Sequence, residues 1–329
     1  IMTLIQVHKK LSRLKEMFPR SSFLFAYGSG IMKQHNNDMS KNMIDLMFVV
    51  DKPAAWHEEN IKRNASHYSF LKLGGANFIA DVQENYGASV YFNTLVKADN
   101  MMIKYGVVSS NSLITDLLDW NTLYVSGRLH KPVAVITEPS SLQLSTALRI
   151  NLQTALHTAF LMLPSHFDEE DLYKAICKLS YSGDFRMVFG EDKHKIDNIV
   201  TGQFKEFQSM YRPLLRIFEQ WVDLGDDGKG TQDVSPTAKL YHLSMLPKSL
   251  QNHLVNVWDR HGQYGDVEDI LRAVSYEPDC QELIESGVYT IVKKSSWSQS
   301  LKGIFTAGFC KAFSYSSRKV KKMVNSMRR

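Results

Sequence analysis

The chain of 329 residues has little cysteine, no long apolar run and no acid at its C-terminal end. Its three cysteines, Cys177, Cys280 and Cys310, are far apart and odd in number. That argues against a disulfide framework and fits a reducing compartment. No CxxC or HxH spacing occurs, so no structural zinc is expected. No stretch reaches the roughly 18 to 20 apolar residues of a membrane-spanning helix. Internal repeats and low-complexity tracts are missing too. The first residue is Ile1, so the lack of a leader in these residues decides nothing about targeting.

The missing acids are informative. Lys293 to Arg329 holds ten Lys or Arg and no Asp or Glu. The other residues hold 29 basic against 34 acidic side chains, a net of −5. The overall charge of +5 therefore belongs to the tail. A nucleic-acid binder spreads its basic charge along a face or groove, so no nucleic-acid partner is expected.

What is present centres on Phe23 to Asp51. An apolar run, Phe23 to Tyr27, ends in Gly28-Ser29-Gly30, before a helix-compatible segment. Glycines at such a junction let the backbone approach a ligand. Amides opening a helix face phosphate. Met43 to Val50 is a buried-strand run with one charge, Asp45. A lone carboxylate in an apolar strand is costly unless it is paired or holds a metal. A phosphate cradle beside a metal-type acid is the layout of a nucleotidyltransferase.

Around this unit the reading is mixed α and β. Leu4 to Phe18 has helical periodicity. Pro53 opens a helix to about Ala65. Trp56, Asn60 and Asn64 form one of its stripes, with His57 beside them and His67-Tyr68-Ser69 beyond. That stripe is either a solvated surface or the wall of a polar pocket. Strands are expected at Ala88 to Phe92, Met101 to Val108 and Val133 to Ile136. Lys104 either snorkels from an edge strand or points at phosphates. Helices are expected at Ser112 to Trp120, Ser145 to Leu163, Asp168 to Tyr181, Ile196 to Trp221, Leu240 to Trp258 and Val267 to Tyr276. Leu224 to Ser235 reads as a Gly/Asp-rich loop. Composition shifts near residues 110 to 130, which divides the chain into 1–115, 116–292 and a tail, 293–329.

From Trp297 the tail reads as one amphipathic helix. Phe305, Phe309, Phe313, Val320, Val324 and Met327 share a face, and Lys302, Lys311, Arg318, Lys319, Lys321, Lys322 and Arg328 fill the rest. This pattern suits an anionic membrane surface; the other reading is a helix docked on its own domain or on a partner.

The ordered motifs resemble one family, the mitochondrial CDP-diacylglycerol synthases, also called translocator assembly and maintenance proteins. They are Tyr27-Gly-Ser-Gly30, Met43-Ile-Asp-Leu46, Pro53 with Trp56-His57, His67-Tyr68-Ser69, Ile103 to Ser109, Gly127-Arg128, Lys131-Pro132, Leu179-Ser-Tyr-Ser-Gly-Asp184 with Arg186, and Lys302 to Gly308. The resemblance spans almost the whole chain. It implies a polymerase-β-like nucleotidyltransferase domain, a mainly helical, winged-helix-like domain and a basic C-terminal helix. It also implies a peripheral enzyme on the matrix side of the mitochondrial inner membrane. That enzyme makes CDP-diacylglycerol from CTP and phosphatidic acid with Mg²⁺, upstream of cardiolipin.

The residues fit that chemistry. The lipid phosphate is already an anionic nucleophile, so the difficulty is bringing two anions together in line. Gly28, Ser29 and Gly30 are expected to seat the CTP phosphates and Asp45 to hold Mg²⁺. Lys104, Arg128, Lys131 and Arg186 are the expected clamps, and His67, Tyr68 and Ser69 candidate nucleotide contacts. Nucleotidyltransferases of this type carry a second acid two residues along the strand, and here that position is Met47. Asp51 lies about 20 Å along an extended strand. Asp184 is the expected second metal ligand, ahead of Asp38 and Asp51. The competing readings are a non-enzymatic assembly factor and a transferase acting on RNA or protein.

Overall fold

Alternation of apolar and aromatic side chains along the early strands builds one sheet with two buried faces. The computed structural model describes residues 11–32, 42–99, 101–189, 194–258 and 266–307. The strands are β1 (Phe23–Tyr27), β2 (Ile44–Val50), β3 (Val90–Ala98), β4 (Met101–Ser109) and β5 (Ala134–Thr137). Their order is β3-β4-β2-β1-β5. β2 and β4 run parallel, and the other pairs are antiparallel.

One face carries Phe23, Phe25, Met47, Val49, Val90, Phe92 and Val108. The helix α3 (Ser110–Asp119) packs there with the loop residues Tyr124 and Val125. The other face carries Leu24, Ala26, Leu46, Phe48, Val50, Tyr105 and Val107. It is covered by residues 11–18 and by Trp56 of α1 (Pro53–Asn64). Next to α1 lies α2 (Gly75–Asn85). Tyr27, Asp45 and Lys104 stand opposite one another across β1, β2 and β4. By the period of two they continue the first face.

A buried carboxylate shapes the exit from this sheet. Asp116, on α3, accepts hydrogen bonds from the backbone and hydroxyl of Thr122, from the amides of Leu123 and Val125, and from the amide and hydroxyl of Ser126. It ties down the loop that leads into α4 (Ser126–Leu129).

α5 (Leu142–Met162) joins the two halves of the molecule. Its Leu144 and Ala147 lie in the sheet core, while Ala155 to Met162 lie in a second, helical core. That core takes side chains from α6 (Glu169–Leu179), then α8 (Lys195–Gly202) and α9 (Phe204–Leu215), the short α7 (Arg186–Phe189) lying between α6 and α8. It is completed by α10 (Pro236–Ser244), α11 (Lys248–Trp258), α12 (Val267–Tyr276) and α13 (Cys280–Ala307). A small antiparallel sheet, ordered β6-β8-β7, stands beside it, with β6 at His166–Asp168, β7 at Val222–Leu224 and β8 at Lys229–Gln232.

Several expectations change. The Gly/Asp-rich stretch from Leu224 is a hairpin, because Gly225 to Gly228 makes its turn, with Gly228 at φ +79°. The helix expected over Ile196 to Trp221 breaks at Gly202, a residue that favours helix ends. The division at 115 falls inside α3, and β5 returns the chain to the first sheet. The division at 293 falls inside α13, which runs unbroken past it.

Candidate active site

Gly28 ends β1 with φ +78°, a conformation that favours glycine. A Cβ there would sit 3.1 Å from Asp45 Oδ2, and one on Gly30 would meet the Met43 carbonyl oxygen at 2.4 Å. Both glycines thus keep the backbone against β2. Ser29 accepts a hydrogen bond from Asn42 through its carbonyl at 3.1 Å. A turn follows, with the Ile31 and Met32 amides donating to the Gly28 carbonyl, and the helix-compatible stretch expected next falls on residues outside those described. Residues 33–41, including Asp38, lie outside the described residues.

Lys104 neighbours the Asp45 carboxylate, and both Lys104 and Arg128 rest on aromatic rings. Lys104 faces Asp45 from the neighbouring strand, and its Nζ lies 4.3 Å from the Phe92 ring centre. Phe92 meets Tyr124 edge-on at 6.3 Å. The Arg128 guanidinium lies 3.9 Å over the Tyr124 ring and 5.4 Å from the Tyr27 ring, and donates to the Tyr124 carbonyl. Such contacts hold a cation in place without neutralising it.

The electrostatics show which groups share the site. Burial pushes the Tyr124 hydroxyl up, yet Arg128, Arg186 and Lys104 outweigh it and bring it down to about 8. Tyr27 is pushed up to about 12 by burial, with Arg128 and Lys104 opposing and Asp45 reinforcing. Lys104 of the sheet, Arg128 of α4 and Arg186 of α7 therefore act on one side chain.

Asp184 is buried, and both its oxygens accept from Arg186. The Nε contacts are 2.9 and 3.0 Å, and the Nη2 contact is 2.5 Å. Burial alone would raise this carboxyl; the Arg186 bonds, with Arg128 behind them, hold it below the usual carboxylate range. Asp184, the expected second metal ligand, is paired with Arg186 in this structure, and a metal bound there would share the carboxylate with that guanidinium. The loop is pinned from behind. A Cβ on Gly183 would meet the Tyr289 carbonyl oxygen of α13 at 2.4 Å, and Phe185 stacks on Trp297 at 4.5 Å.

Asp45 itself suits a hard divalent cation. Its half-buried oxygen lies against a glycine, where a phosphate can also approach. Mg²⁺ commonly takes one or two carboxylates and completes its shell with phosphate and water. Among the described residues no group of three or more His, Cys, Asp or Glu forms an all-protein cage. Asp51 is exposed beyond the end of β2 and accepts from the Ser110 hydroxyl.

His67, Tyr68 and Ser69 do not join this group. Tyr105 alternates with Lys104 and points to the opposite face. On that face His67 Nδ1 lies 3.2 Å from the Tyr105 hydroxyl, and Asn60 donates to the hydroxyls of Tyr68 and Tyr105. His57 bridges Tyr68 and Gln83 at 2.8 and 2.9 Å. Ser69 Oγ accepts from the Leu71 amide at 3.4 Å. The stripe read as surface or pocket wall is a buried hydrogen-bonded cluster behind the sheet. Lys131 lies on the helical side, donating to the Gly127 carbonyl and, at 2.5 Å, to Ser180 Oγ.

The described part of the tail is also docked. Gln299 accepts from the Ala88 amide at 2.9 Å and donates to the Val90 carbonyl at 3.1 Å. Lys302 is buried and donates to the carbonyls of Gln83 and Tyr86 at 3.0 and 2.7 Å. It is not part of a solvated cationic face, and burial pushes its ammonium down to about 7. Trp297, Leu301, Ile304 and Phe305 are exposed. Phe309, Phe313, Arg318, Lys319, Lys321 and Lys322 lie outside the described residues.

Sequence reasoning missed Tyr124 and Phe92. Tyr124 stands four residues before Arg128, a spacing that brings two side chains together on a helical turn. That spacing was available as a signal.

Comparison with known proteins agrees with the motif order. A family profile described as phosphatidate cytidylyltransferase, mitochondrial, matches residues 11–322. The Xenopus laevis protein of that name is 48% identical over 321 residues, covering 96% of this chain and 95% of its own length. The Danio rerio protein is 47% identical over 321 residues, with the same coverage of 96% and 95%. The Drosophila melanogaster protein is 40% identical, covering 92% of this chain and 94% of its own length. The chain belongs to the mitochondrial phosphatidate cytidylyltransferase family.

Proposed function

We propose that this chain transfers the cytidylyl group of CTP to phosphatidate, giving CDP-diacylglycerol and pyrophosphate. The observation that carries the reading is the Gly28 backbone held against Asp45, with Lys104 and Arg128 on the same face. We read the five-stranded unit as a polymerase-β-like nucleotidyltransferase domain. The helical unit with its three-stranded sheet is read as winged-helix-like.

In this mechanism the Gly28 to Gly30 backbone seats the CTP phosphates. Lys104 and Arg128 face the charge that builds on the phosphates. A phosphatidate oxygen, already anionic, attacks the α-phosphorus as the bond to the β-phosphate oxygen breaks. Pyrophosphate leaves with the electron pair, and no side chain need remove a proton. Arg186, fixed by Asp184, closes the site from the helical side. Mg²⁺ held by Asp45 would supply charge neutralisation between the two anions.

The lipid substrate requires a bilayer surface. Among the described residues no helix is long and apolar enough to cross a membrane. The exposed Trp297, Leu301, Ile304 and Phe305 lead into the basic tail. This supports peripheral attachment to an anionic membrane, on the matrix side of the mitochondrial inner membrane, where the product feeds cardiolipin synthesis.

The test supplies labelled CTP, phosphatidate liposomes and Mg²⁺. Labelled CDP-diacylglycerol is expected only when all three are present. Labelling of RNA or protein without lipid product would overturn the reading.

A further inference from the structure

The transfer needs its cations at fixed separations, and they come from different parts of the fold. Lys104 stands on the sheet and Arg128 on α4, whereas Arg186 opens α7. Arg186 belongs to a short hydrogen-bonded unit. Its amide donates to Asp184 Oδ1 at 3.0 Å, and its Nε donates to both Asp184 oxygens. The Met187 amide donates to the Asp184 carbonyl at 2.9 Å. Whatever holds residues 183–185 therefore holds the guanidinium.

The holder is α13. Gly183, at φ +81°, lies so close to this helix that a Cβ would meet the Tyr289 carbonyl oxygen at 2.4 Å. Further on, about 12 Å along the helix axis, the Trp297 ring stacks on Phe185, with centres 4.5 Å and planes 28° apart. Just beyond this stack the same helix is fastened to the sheet. Gln299 bonds the Ala88 amide and the Val90 carbonyl, and Lys302 bonds the carbonyls of Gln83 and Tyr86. Phe92, on the same strand as Val90, carries Lys104 against its ring. So α13 reaches from the Arg186 loop to the strand that supports Lys104. Trp297 stays 48% exposed, so its contact with Phe185 serves placement more than core volume.

We propose that Trp297 is a positioning residue for the transfer: through Phe185 it sets the place of Arg186 relative to Lys104 and Arg128. The inference rests on the cytidylyltransferase reading above. It makes the helix that leads into the basic tail a working part of the active site, beyond any attachment to a bilayer. The effect of Trp297 passes through the Asp184–Arg186 pair and needs no contact with either substrate.

The experiment is a double-mutant cycle. It measures kcat for wild type, Trp297→Ala, Arg186→Gln and the double variant, at saturating CTP, phosphatidate liposomes and Mg²⁺, with thermal midpoints confirming the fold. Misplacing a group by about 1 Å can cost about 100-fold, so Trp297→Ala is expected to lower kcat about tenfold. Trp297→Phe is expected to recover most of the loss and Phe185→Leu to reproduce it. The double variant is expected within about twofold of Arg186→Gln alone, because both changes act on one group. A kcat for folded Trp297→Ala within twofold of wild type, or losses that multiply in the double variant, would overturn the proposal; both are what a purely membrane-anchoring Trp297 would give. If Trp297→Ala does not fold, Phe185→Leu takes its place in the cycle. If wild type makes no CDP-diacylglycerol, the functional reading fails by itself, and calorimetric titration with CTP runs the same cycle, as it does if Arg186→Gln turns over too slowly to follow. Weaker CTP binding by Trp297→Ala than by wild type, with no further weakening from Arg186→Gln to the double variant, supports the proposal. Equal or absent binding in wild type and Trp297→Ala, or losses that multiply, overturns it.

Discussion

At the scale of single residues, the site depends on cations held by aromatic rings. Arg128 lies over Tyr124, and Lys104 over Phe92. A buried cation–π contact contributes on the order of 2 kcal/mol. Tyr124→Leu removes the ring and is expected to raise the KM for CTP by roughly ten- to thirtyfold, about what that energy allows. Tyr124→Phe keeps the ring and is expected to stay within about threefold. CTP titration of initial rates checks both, and an equal loss in the two variants would show that the hydroxyl, not the face of the ring, matters. Asp184 is a buried ion-pair partner whose two oxygens orient Arg186.

At the scale of elements, the part legible in the sequence was the first strand, its glycine turn and β2. Strand-length apolar runs and the GSG junction define them locally. The placement of Asp45 and Lys104 side by side was not legible, because it depends on β2 and β4 pairing in parallel across a gap that includes β3. The same topology sends His67 and Tyr68 to the far face; a stripe of Asn and His gives no sign of which side of a sheet will cover it. α13 was misread for a different reason. Its Gln299 and Lys302 look solvent-seeking in sequence, yet both bond backbone groups at the α2–β3 turn and near the start of β3. A polar side chain that satisfies buried carbonyls is indistinguishable from a surface one until the partner is placed. The ordered motifs carried the family where local patterns could not.

At the scale of the whole molecule, His57, His130, His157 and His242 are buried and held uncharged. Burial brings His57 and His242 down to about 4 and His130 and His157 to about 3, from an ordinary value near 6.5. His130 is lowered further by Lys131, and His157 by His242. The unfolded chain binds a proton at each below about pH 6.5, whereas the folded chain does so only near 3 to 4. Folding stability is therefore full above pH 6.5 and falls as the pH drops toward 4. At pH 5 the loss is at most about 2 kcal/mol for each histidine. Together these losses are comparable to a typical domain's stability of roughly 5 to 15 kcal/mol. The thermal midpoint is expected to fall steeply between pH 6.5 and 5. Asp184 and Glu169, whose carboxyls sit below their usual range, add their loss only at lower pH. A midpoint constant from pH 7 to 5 would contradict this account.

The central claim is that the transfer takes place on the Asp45 face of the sheet and that the His67 face is structural. The most direct measurement is CDP-diacylglycerol formation by Asp45→Asn and His67→Gln, side by side with wild type and with thermal midpoints recorded. Asp45→Asn is expected to lower kcat by at least about 100-fold without lowering the midpoint. His67→Gln is expected to lower the midpoint and keep kcat within about twofold in the folded protein. An active Asp45→Asn, or a folded but inactive His67→Gln, would contradict the account.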